Sequence, residues 1–114
     1  MRLNEAIEVL DLDLMCCRKK TGGEIQGGYV SDLLSDVMAN SRKGDLWITL
    51  QIHQNIIAVA TLKELAGIIL VNGKVPPQET LMKAEEEGVP VMTSHLTAFE
   101  VACRLGELGI SGKR

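Results

Sequence analysis

Aromatic residues are scarce in this chain of 114 residues, where they make up 3% of the composition. Trp47, Tyr29 and Phe99 are the whole supply. A surface on which nucleic-acid bases stack needs exposed aromatic rings, so this class of binding site is not expected. Apolar residues nevertheless make up 46% of the chain, which is typical of a folded globular protein. The core must therefore consist mainly of Leu, Ile, Val, Met and Ala.

Basic blocks and long apolar runs are also lacking. The net charge is −3 and the longest cationic run is Arg18-Lys19-Lys20, whereas nucleic-acid-binding domains present a basic face. No apolar run approaches the roughly 20 residues that cross a bilayer. The first ten residues, MRLNEAIEVL, have the pattern of an amphipathic helix with acidic residues rather than a signal peptide. We therefore expect a cytoplasmic protein that binds neither nucleic acid nor membranes.

The cysteines give no sign of a disulfide framework or a metal site. There are three, Cys16, Cys17 and Cys103, and no CxxC motif occurs. Adjacent side chains of a strand point to opposite faces, which argues against a metal ion shared by Cys16 and Cys17. We interpret the cysteines as buried, reduced thiols and Glu85-Glu86-Glu87 as a solvated helix end. The sequence thus predicts no metal and no cofactor.

Sequence motifs of common enzyme classes are missing. Neither GxSxG nor HExxH occurs, and we interpret His53 and His95 as surface or helix-capping residues. In the segment TGGEIQGG, two glycines have the spacing of a P-loop, but Gly28 and Tyr29 replace the Lys and hydroxyl residue that bind phosphate and metal. We therefore predict a protein that is not an enzyme, with a phosphotransferase as the least favoured alternative.

The same glycine-rich segment is better interpreted as a turn or as a contact surface. Glycine lacks a side chain, so two backbones can approach closely there. We predict a homodimer, with the interface at Gly22, Gly23, Gly27, Gly28 and Tyr29. Anion binding at a helix start remains an alternative for this segment.

Hydrophobic periodicity assigns the first half of the chain to alternating helices and strands. A helix is predicted near the amino terminus, followed by a strand at Leu14–Cys17, a loop to Gly28 with a short strand around Glu24–Gln26, and a strand at Leu46–Leu50. Between the loop that ends at Gly28 and the strand at Leu46–Leu50, we predict a second helix. Its first turn contains Ser31 and Asp32, and Asp32 and Asp36 face solvent. The apolar face of that helix would consist of Val30, Leu33, Leu34, Val37 and Met38.

The second half has a clearer pattern. Residues 55–65 fit either a strand or a helix, and we favour a helix because a crossover must precede the strand Gly67–Val71. A helix follows from Pro76 to Glu87, then a strand at Val89–Met92 and a last helix opened by Thr97. The last helix would face inward with Phe99, Ala102, Cys103 and Leu105. We predict one domain over residues 1–110, with a mainly parallel sheet, and a flexible tail at 111–114.

Parallel strands place their carboxyl ends at one edge of the sheet, where ligands of open α/β sheets bind. The strand at 67–71 is followed by Asn72, Gly73 and Lys74, and the strand at 89–92 by Thr93 and Ser94. These five residues are our predicted site for a small anion, although Asn-Gly turns and Ser or Thr helix caps are an alternative explanation.

Four stretches that together cover most of the chain resemble the DRTGG domain family, in its short stand-alone form. They are GGYVSDLLSDVMAN, KGDLWITLQ, LAGIILVNGKVPPQETLMKAEEEGVPVM and SHLTAFEVACRL. Gly44-Asp45 match the Gly-Asp of the family motif, while Leu46 stands in place of its Arg. The family's Thr-Gly-Gly corresponds here to Val71-Asn72-Gly73.

This resemblance implies a three-layer α/β domain similar to the amino-terminal domain of HPr kinase/phosphorylase, which is not the kinase domain. In related proteins the domain accompanies CBS modules of pyrophosphatases, or phosphotransacetylase, as a regulatory or dimer-forming module. Short versions are similar to proteins encoded beside iron-only hydrogenase components, which implies a partner enzyme of anaerobic energy metabolism. The alternative role implied is that of a sensor for a nucleotide or phosphorylated small molecule.

Overall fold

A five-stranded sheet runs through the computed structural model, which describes residues 1–112. The strands lie in the order β1-β5-β4-β3-β2. Strands β2 to β5 are parallel, and β1 joins one edge in the antiparallel direction. The strands are β1 (Asp13–Leu14), β2 (Gly27–Val30), β3 (Asp45–Thr49), β4 (Gly67–Leu70) and β5 (Val91–Thr93). The predicted α/β class with a mainly parallel sheet is confirmed.

Helices cover both faces of the sheet and complete three layers. They are α1 (Leu3–Val9), α2 (Leu34–Asn40), α3 (Asn55–Lys63), α4 (Gln78–Glu87) and α5 (Ala98–Glu107), with a 3-10 turn at Arg18–Lys20. Strand β3 shows how the layers form, because its side chains alternate between the two faces. Leu46 and Ile48 pack with α1 and α5 in one core, whereas Trp47 packs with α2, α3 and α4 in the other.

The second half of the fold follows the predicted order of elements. Residues 55–63 are helical, as favoured, and all of β4 is buried, as expected for a strand covered on both faces. Helix α4 ends where Gly88 takes the left-handed conformation with φ of 70°, which costs glycine least. The Thr97 hydroxyl accepts a hydrogen bond from the amide of Glu100 at 3.2 Å and caps α5.

The predicted second helix is wrong in its first turn. Gly27–Val30 form β2, which pairs with β3, and α2 begins only at Leu34. Val30 and Leu33, predicted to face the core, are 51% and 64% exposed. The apolar spacing was therefore produced by two different elements, a strand and a short helix.

Two further predictions need correction. The first strand includes only Asp13–Leu14, and Cys17 has a left-handed backbone with φ of 61°, so the chain leaves the sheet before the cysteines. In α5 the buried residues are Val101 and Leu105, spaced i, i+4. The predicted inward residues Phe99, Ala102 and Cys103 are exposed instead.

Gly112, the last residue that the structure describes, lies beside strand β2. A Cβ atom on Gly112 would be 3.7 Å from the carbonyl oxygen of Gly28. Residues 113 and 114 of the predicted tail lie outside the described residues, so the flexibility of that tail stays a prediction.

Candidate functional site

The carboxyl end of β3 is bonded to the loop that follows β2. The Asp32 carboxylate accepts hydrogen bonds from the Thr49 hydroxyl at 2.8 Å and from the Leu50 amide at 2.7 Å. Gln51 donates to the Asp32 carbonyl at 2.9 Å, and the Trp47 indole donates to the carbonyl of Ser31 at 2.8 Å. Asp32 is exposed, as predicted, but it lies in the loop before α2 rather than in the helix, and its carboxylate connects that loop to the end of β3.

The Asp36 carboxylate also accepts hydrogen bonds from other side chains of the protein. It accepts them from the Tyr29 hydroxyl at 2.9 Å and from the Asn40 amide at 2.8 Å. Bonds from Asn40, Ser31 and Tyr29 favour the charged form and lower the pKa of the Asp36 carboxyl. Asn40 lies one helical turn after Asp36 in α2, a spacing that the sequence does show, whereas the bonds of Asp32 and the bond from Tyr29 join different elements and have no local sequence signal.

The structure brings the predicted ligand residues together between β4 and β5. The Gly73 amide donates to the Ser94 carbonyl at 2.9 Å, and the Asn72 amide donates to the Leu96 carbonyl at 2.9 Å. Asn72 and Gly73 both have left-handed backbones, with φ of 57° and 68°. Ser94 is buried, whereas the Lys74 side chain is exposed. The two backbone amides best placed for an anion therefore already have acceptors.

The histidines lie in separate places. His53 Nδ1 accepts a hydrogen bond from the Asn55 amide at 3.0 Å at the start of α3, which fits the predicted capping role. His95 is exposed beside the Asn72-Gly73 turn, where a Cβ atom on Gly73 would be 3.1 Å from its Nδ1.

The glycine-rich segment uses its carbonyl groups, not its amides, to make contacts with helix α1. The Leu3 amide donates to the Gly23 carbonyl at 2.9 Å, and the Asn4 amide donates to the Thr21 carbonyl at 2.8 Å. These bonds satisfy free amides at the start of a helix. A P-loop does the reverse, since its amides bind phosphate.

The predicted interface residues divide into two groups. Gly22 and Gly23 are exposed, and a Cβ atom at either would meet nothing within 4 Å. Gly27 is buried at the start of β2, and Gly28 and Tyr29 are half-buried in the same strand. Only the first group therefore offers bare backbone at the surface.

A cavity of about 700 Å³ lies at the amino-terminal end of β5, between residues 15–20 and α4. The Cys17 thiol lies 3.3 Å from the Ala84 carbonyl and 3.4 Å from the Val89 carbonyl, and the Cys16 thiol lies 3.5 Å from the same Val89 oxygen. Glu85 accepts a hydrogen bond from the Cys17 amide at 2.7 Å. The walls of the cavity also include Met15, Arg18, Lys19, Lys20, Gln78, Leu81, Met82 and Gly88.

Both thiols of this cavity favour the protonated form. Burial raises the pKa of the Cys16 thiol. Burial, followed by the neighbouring Cys16 and Glu85, raises the pKa of Cys17 far above its usual range. Cys16 is half-buried and Cys17 buried, whereas Cys103 is exposed. The interpretation of the cysteines as buried thiols is therefore wrong for Cys103.

This cavity was not predicted from the sequence. The predicted strand at Leu14–Cys17 would point the two cysteine side chains to opposite faces of the sheet. The two thiols approach one oxygen because the left-handed backbone of Cys17 turns the second side chain. Cys16, Cys17 and Glu85 offer one ligand atom each, and these atoms lie within 4.8 Å of one another. They are the residues among 1–112 that could hold a metal ion.

Within residues 1–112, no helix combines the length and apolar character required to cross a bilayer. The fold is that of a small three-layer α/β module with a mainly parallel sheet. The family model of the DRTGG domain matches residues 8–108, and the chain belongs to this family.

One similar solved structure contains the CBS and DRTGG domains of the regulatory region of Clostridium perfringens pyrophosphatase, complexed with the activator diadenosine tetraphosphate. The TM-score is 0.68 at 16% sequence identity, and the match covers 89% of this chain and 44% of that chain. This chain thus corresponds to less than half of that regulatory region, and the likeness is one of fold. No match was found among curated proteins.

Proposed function

We propose that this protein is a regulatory and oligomerisation module that acts as a homodimer and catalyses no reaction. The observation that carries the proposal is the family match over residues 8–108. The similar fold within a pyrophosphatase regulatory region supports it further. We take residues 1–110 as the folded unit, with 111–114 as a tail, in the cytoplasm.

The dimer contact is proposed to lie at the surface around Gly22 and Gly23. Their backbone is held in place because the carbonyls of Thr21 and Gly23 bind the first amides of α1. A second copy would therefore meet a fixed, bare stretch of chain, whose ordering entropy is already lost on folding. Gly27 is unsuitable as a test of this contact, because it is buried in β2 and a large side chain there would disturb the fold.

The matched test replaces exposed glycines on two surfaces. We expect Gly23→Arg to convert a dimer into a monomer, and Gly106→Arg to leave the dimer unchanged. Both positions have space for a Cβ atom within the chain, with nothing within 4 Å, so differences report the contact rather than folding. Light scattering coupled to size exclusion measures the mass. A wild-type monomer at high concentration, or a dimeric Gly23→Arg variant, would contradict the proposal.

A second candidate function is a sensor for a nucleotide or phosphorylated small molecule at the carboxyl ends of β4 and β5. The hydrogen bond from Gly73 to Ser94 favours it, because this bond fixes two loops with Lys74 and Thr93 close to them. Lys74 would supply a positive charge for phosphate. The diadenosine tetraphosphate in the similar regulatory region is a ligand of this chemical class.

A thermal-shift panel distinguishes the two functions. It would include adenine and guanine nucleotides, pyrophosphate and acetyl phosphate, with Lys74→Ala and the control Lys63→Ala. A ligand at 100 times its dissociation constant stabilises a protein by about 2.7 kcal/mol. We expect that shift in wild type and Lys63→Ala and a smaller one in Lys74→Ala. A flat panel would remove the sensor function and leave the dimer proposal intact.

The proposed protein partner is an enzyme of anaerobic energy metabolism, such as an iron-only hydrogenase component. This proposal rests on the resemblance of the short chain to proteins encoded beside such components. Mixing the purified proteins and measuring the mass of the complex by light scattering would test it. Two separate peaks at micromolar concentrations would count against this partner.

A further inference from the structure

The thiols of Cys16 and Cys17 lie on the same side of the chain, which is unusual for neighbouring residues. Both approach the Val89 carbonyl, at 3.5 and 3.4 Å. The amide of Cys17 holds the Glu85 carboxylate beside them at 2.7 Å. The three potential ligand atoms lie within 4.8 Å of one another, at the wall of the cavity at the amino-terminal end of β5.

We propose that Cys16, Cys17 and Glu85 bind a thiophilic divalent cation, with Zn²⁺ as the best fit. Zinc accepts thiolate sulfur at about 2.3 Å and carboxylate oxygen at about 2.0–2.2 Å, usually in tetrahedral geometry. With these bond lengths, the ligand atoms of one zinc ion lie less than roughly 4 Å apart. Side-chain rotations that move the ligand atoms by about 1 Å would therefore bring all three to bonding distance from the metal. The fourth position would face the cavity and bind water.

The charges around the cavity favour this assignment. Two thiolates and one carboxylate carry three negative charges, which a divalent cation reduces to one. Arg18, Lys19 and Lys20 line the same cavity; their three positive charges exceed the one negative charge that remains, and their contribution is to stabilise the thiolate forms of the cysteines. Salt bridges from these three cations to carboxylates do not occur among residues 1–112, so their charge is available to the site.

Deprotonation of the two thiols has a cost, because burial raises the pKa of both and the Val89 carbonyl loses both thiol donors. A thiol is a weak donor, and the Ala84 carbonyl keeps the Gly88 and Val89 amides as donors when the thiol proton leaves. Metal binding would release both thiol protons. A purely structural role, in which the thiols only cap the end of α4, predicts no metal affinity and is the alternative that the experiment must exclude.

The first experiment measures zinc affinity of the reduced, metal-free full chain by competition with a chromophoric chelator. We expect one Zn²⁺ per chain in wild type and in Cys103→Ser, which removes a distant exposed thiol. Cys16→Ser and Cys17→Ser should abolish binding. Glu85→Gln should weaken it at least about tenfold, since even loss of an outer-shell partner costs about 10- to 100-fold. Glu86→Gln is the control on the same helix.

The second experiment does not depend on whether the cysteine variants fold. Metal-free wild type is treated with N-ethylmaleimide until all three cysteines react, and the reaction is repeated with Zn²⁺. Mass spectrometry of peptides should show protection of Cys16 and Cys17 but not of Cys103. Equal labelling with and without Zn²⁺, or equal zinc affinity in wild type and Glu85→Gln, would overturn the proposal.

Discussion

The two ends of the parallel strands use their polar groups in different ways. At the carboxyl ends, Asp32 is bonded to Thr49 and Leu50, and the turn at Asn72 and Gly73 is bonded to the loop after β5. At the amino-terminal end of β5, thiols, a carboxylate and three cations surround a cavity of about 700 Å³ instead.

This difference concerns how many polar groups each end of the sheet has available for a ligand. Parallel α/β sheets generally bind ligands at their carboxyl ends. Here the polar groups at that end stabilise the connections between loops and strands, so a ligand must compete with bonds already made. At the cysteine cavity a ligand would compete with the weak thiol bonds and with the bond from the Cys17 amide to Glu85. The cysteine cavity is therefore a second candidate place for a ligand, beside the carboxyl ends that the usual rule favours.

The largest expected effect comes from removing the bonds at the carboxyl end. Asp32→Ala leaves the hydroxyl of Thr49, which is 1% exposed, and the Leu50 amide without this acceptor. An unsatisfied buried polar group costs about 1–3 kcal/mol. We expect the free energy of unfolding, measured in urea, to fall by about 2 kcal/mol.

The control for Asp32→Ala is Glu8→Ala on the exposed face of α1, where we expect a change within about 0.5 kcal/mol. A loss of similar size in both variants would show that Asp32 does not secure this end of the sheet. The comparison between the two ends would then fail.

The next effect concerns the reactivity of the thiols at the opposite end. In metal-free protein at neutral pH, iodoacetamide should modify Cys103 at least about tenfold faster than Cys16 or Cys17. The thiolate is the reacting form, and each unit of raised pKa lowers its fraction about tenfold. Burial raises the pKa of both cavity thiols, whereas Cys103 is exposed. Peptide mass spectrometry over time gives the three rates.

In denaturant the three cysteines should react at equal rates, because unfolding removes the burial that slows the reaction of Cys16 and Cys17. Equal rates in the native protein would mean that the cavity opens readily. The contrast in accessibility between the cysteines would then be wrong.

The sequence was sufficient for the fold because the central strands have strong local signals. The run Gly67–Leu70 predicts a strand buried on both faces, and Gly88 marks the end of a helix. The segment Gly27–Val30 was missed because its two glycines reduce the strand propensity that Tyr29 and Val30 contribute. Its pairing with β3 is a tertiary interaction, which local patterns do not contain.

The cysteine cavity was beyond sequence reasoning for a related reason. Alternation of side chains is valid only while the chain stays extended, and Cys17 is left-handed. Glu85 is far from the cysteines in sequence and reaches them because α4 packs beside β5. By contrast, Asn72, Gly73 and Ser94 were correctly placed near one another, since neighbouring parallel strands end at the same edge.

A smaller effect tests the left-handed residues, one at each end of the sheet. Asn72 and Cys17 have φ of 57° and 61°. A left-handed L-residue costs about 1–2 kcal/mol, and the extra unfolded-state entropy of glycine offsets about 0.4–1 kcal/mol. Asn72→Gly should therefore be more stable than Asn72→Ala by about 0.5–1 kcal/mol, and Cys17→Gly more stable than Cys17→Ala by the same amount.

The Gly–Ala comparison cancels the loss of each native side chain, because both variants lack it. Thermal and urea unfolding of the four proteins give the two differences. An alanine variant as stable as its glycine partner at either site would contradict the left-handed backbone at that site.

The smallest effect is the pH dependence contributed by Asp36. Hydrogen bonds from Asn40, Ser31 and Tyr29 lower the pKa of this carboxyl in the folded protein. A lowered folded pKa means that the unfolded chain binds protons more readily. The contribution to stability is therefore complete above the unfolded pKa of about 3.9 and is lost as the pH falls through the folded value. Wild type should exceed Asp36→Asn in stability at pH 7, and this difference should shrink below about pH 4.

Asn40→Ala separates the hydrogen bonds from the charge itself. It removes the bond at 2.8 Å, the first cause of the lowered pKa, and keeps the carboxylate. We expect part of the acid-induced loss to disappear in this variant, measured by urea unfolding between pH 3 and 7. A difference between wild type and Asp36→Asn that stays constant with pH would mean that these bonds do not favour the charged form. Asp36 would then contribute to the carboxyl end of the sheet only as a neutral acceptor could.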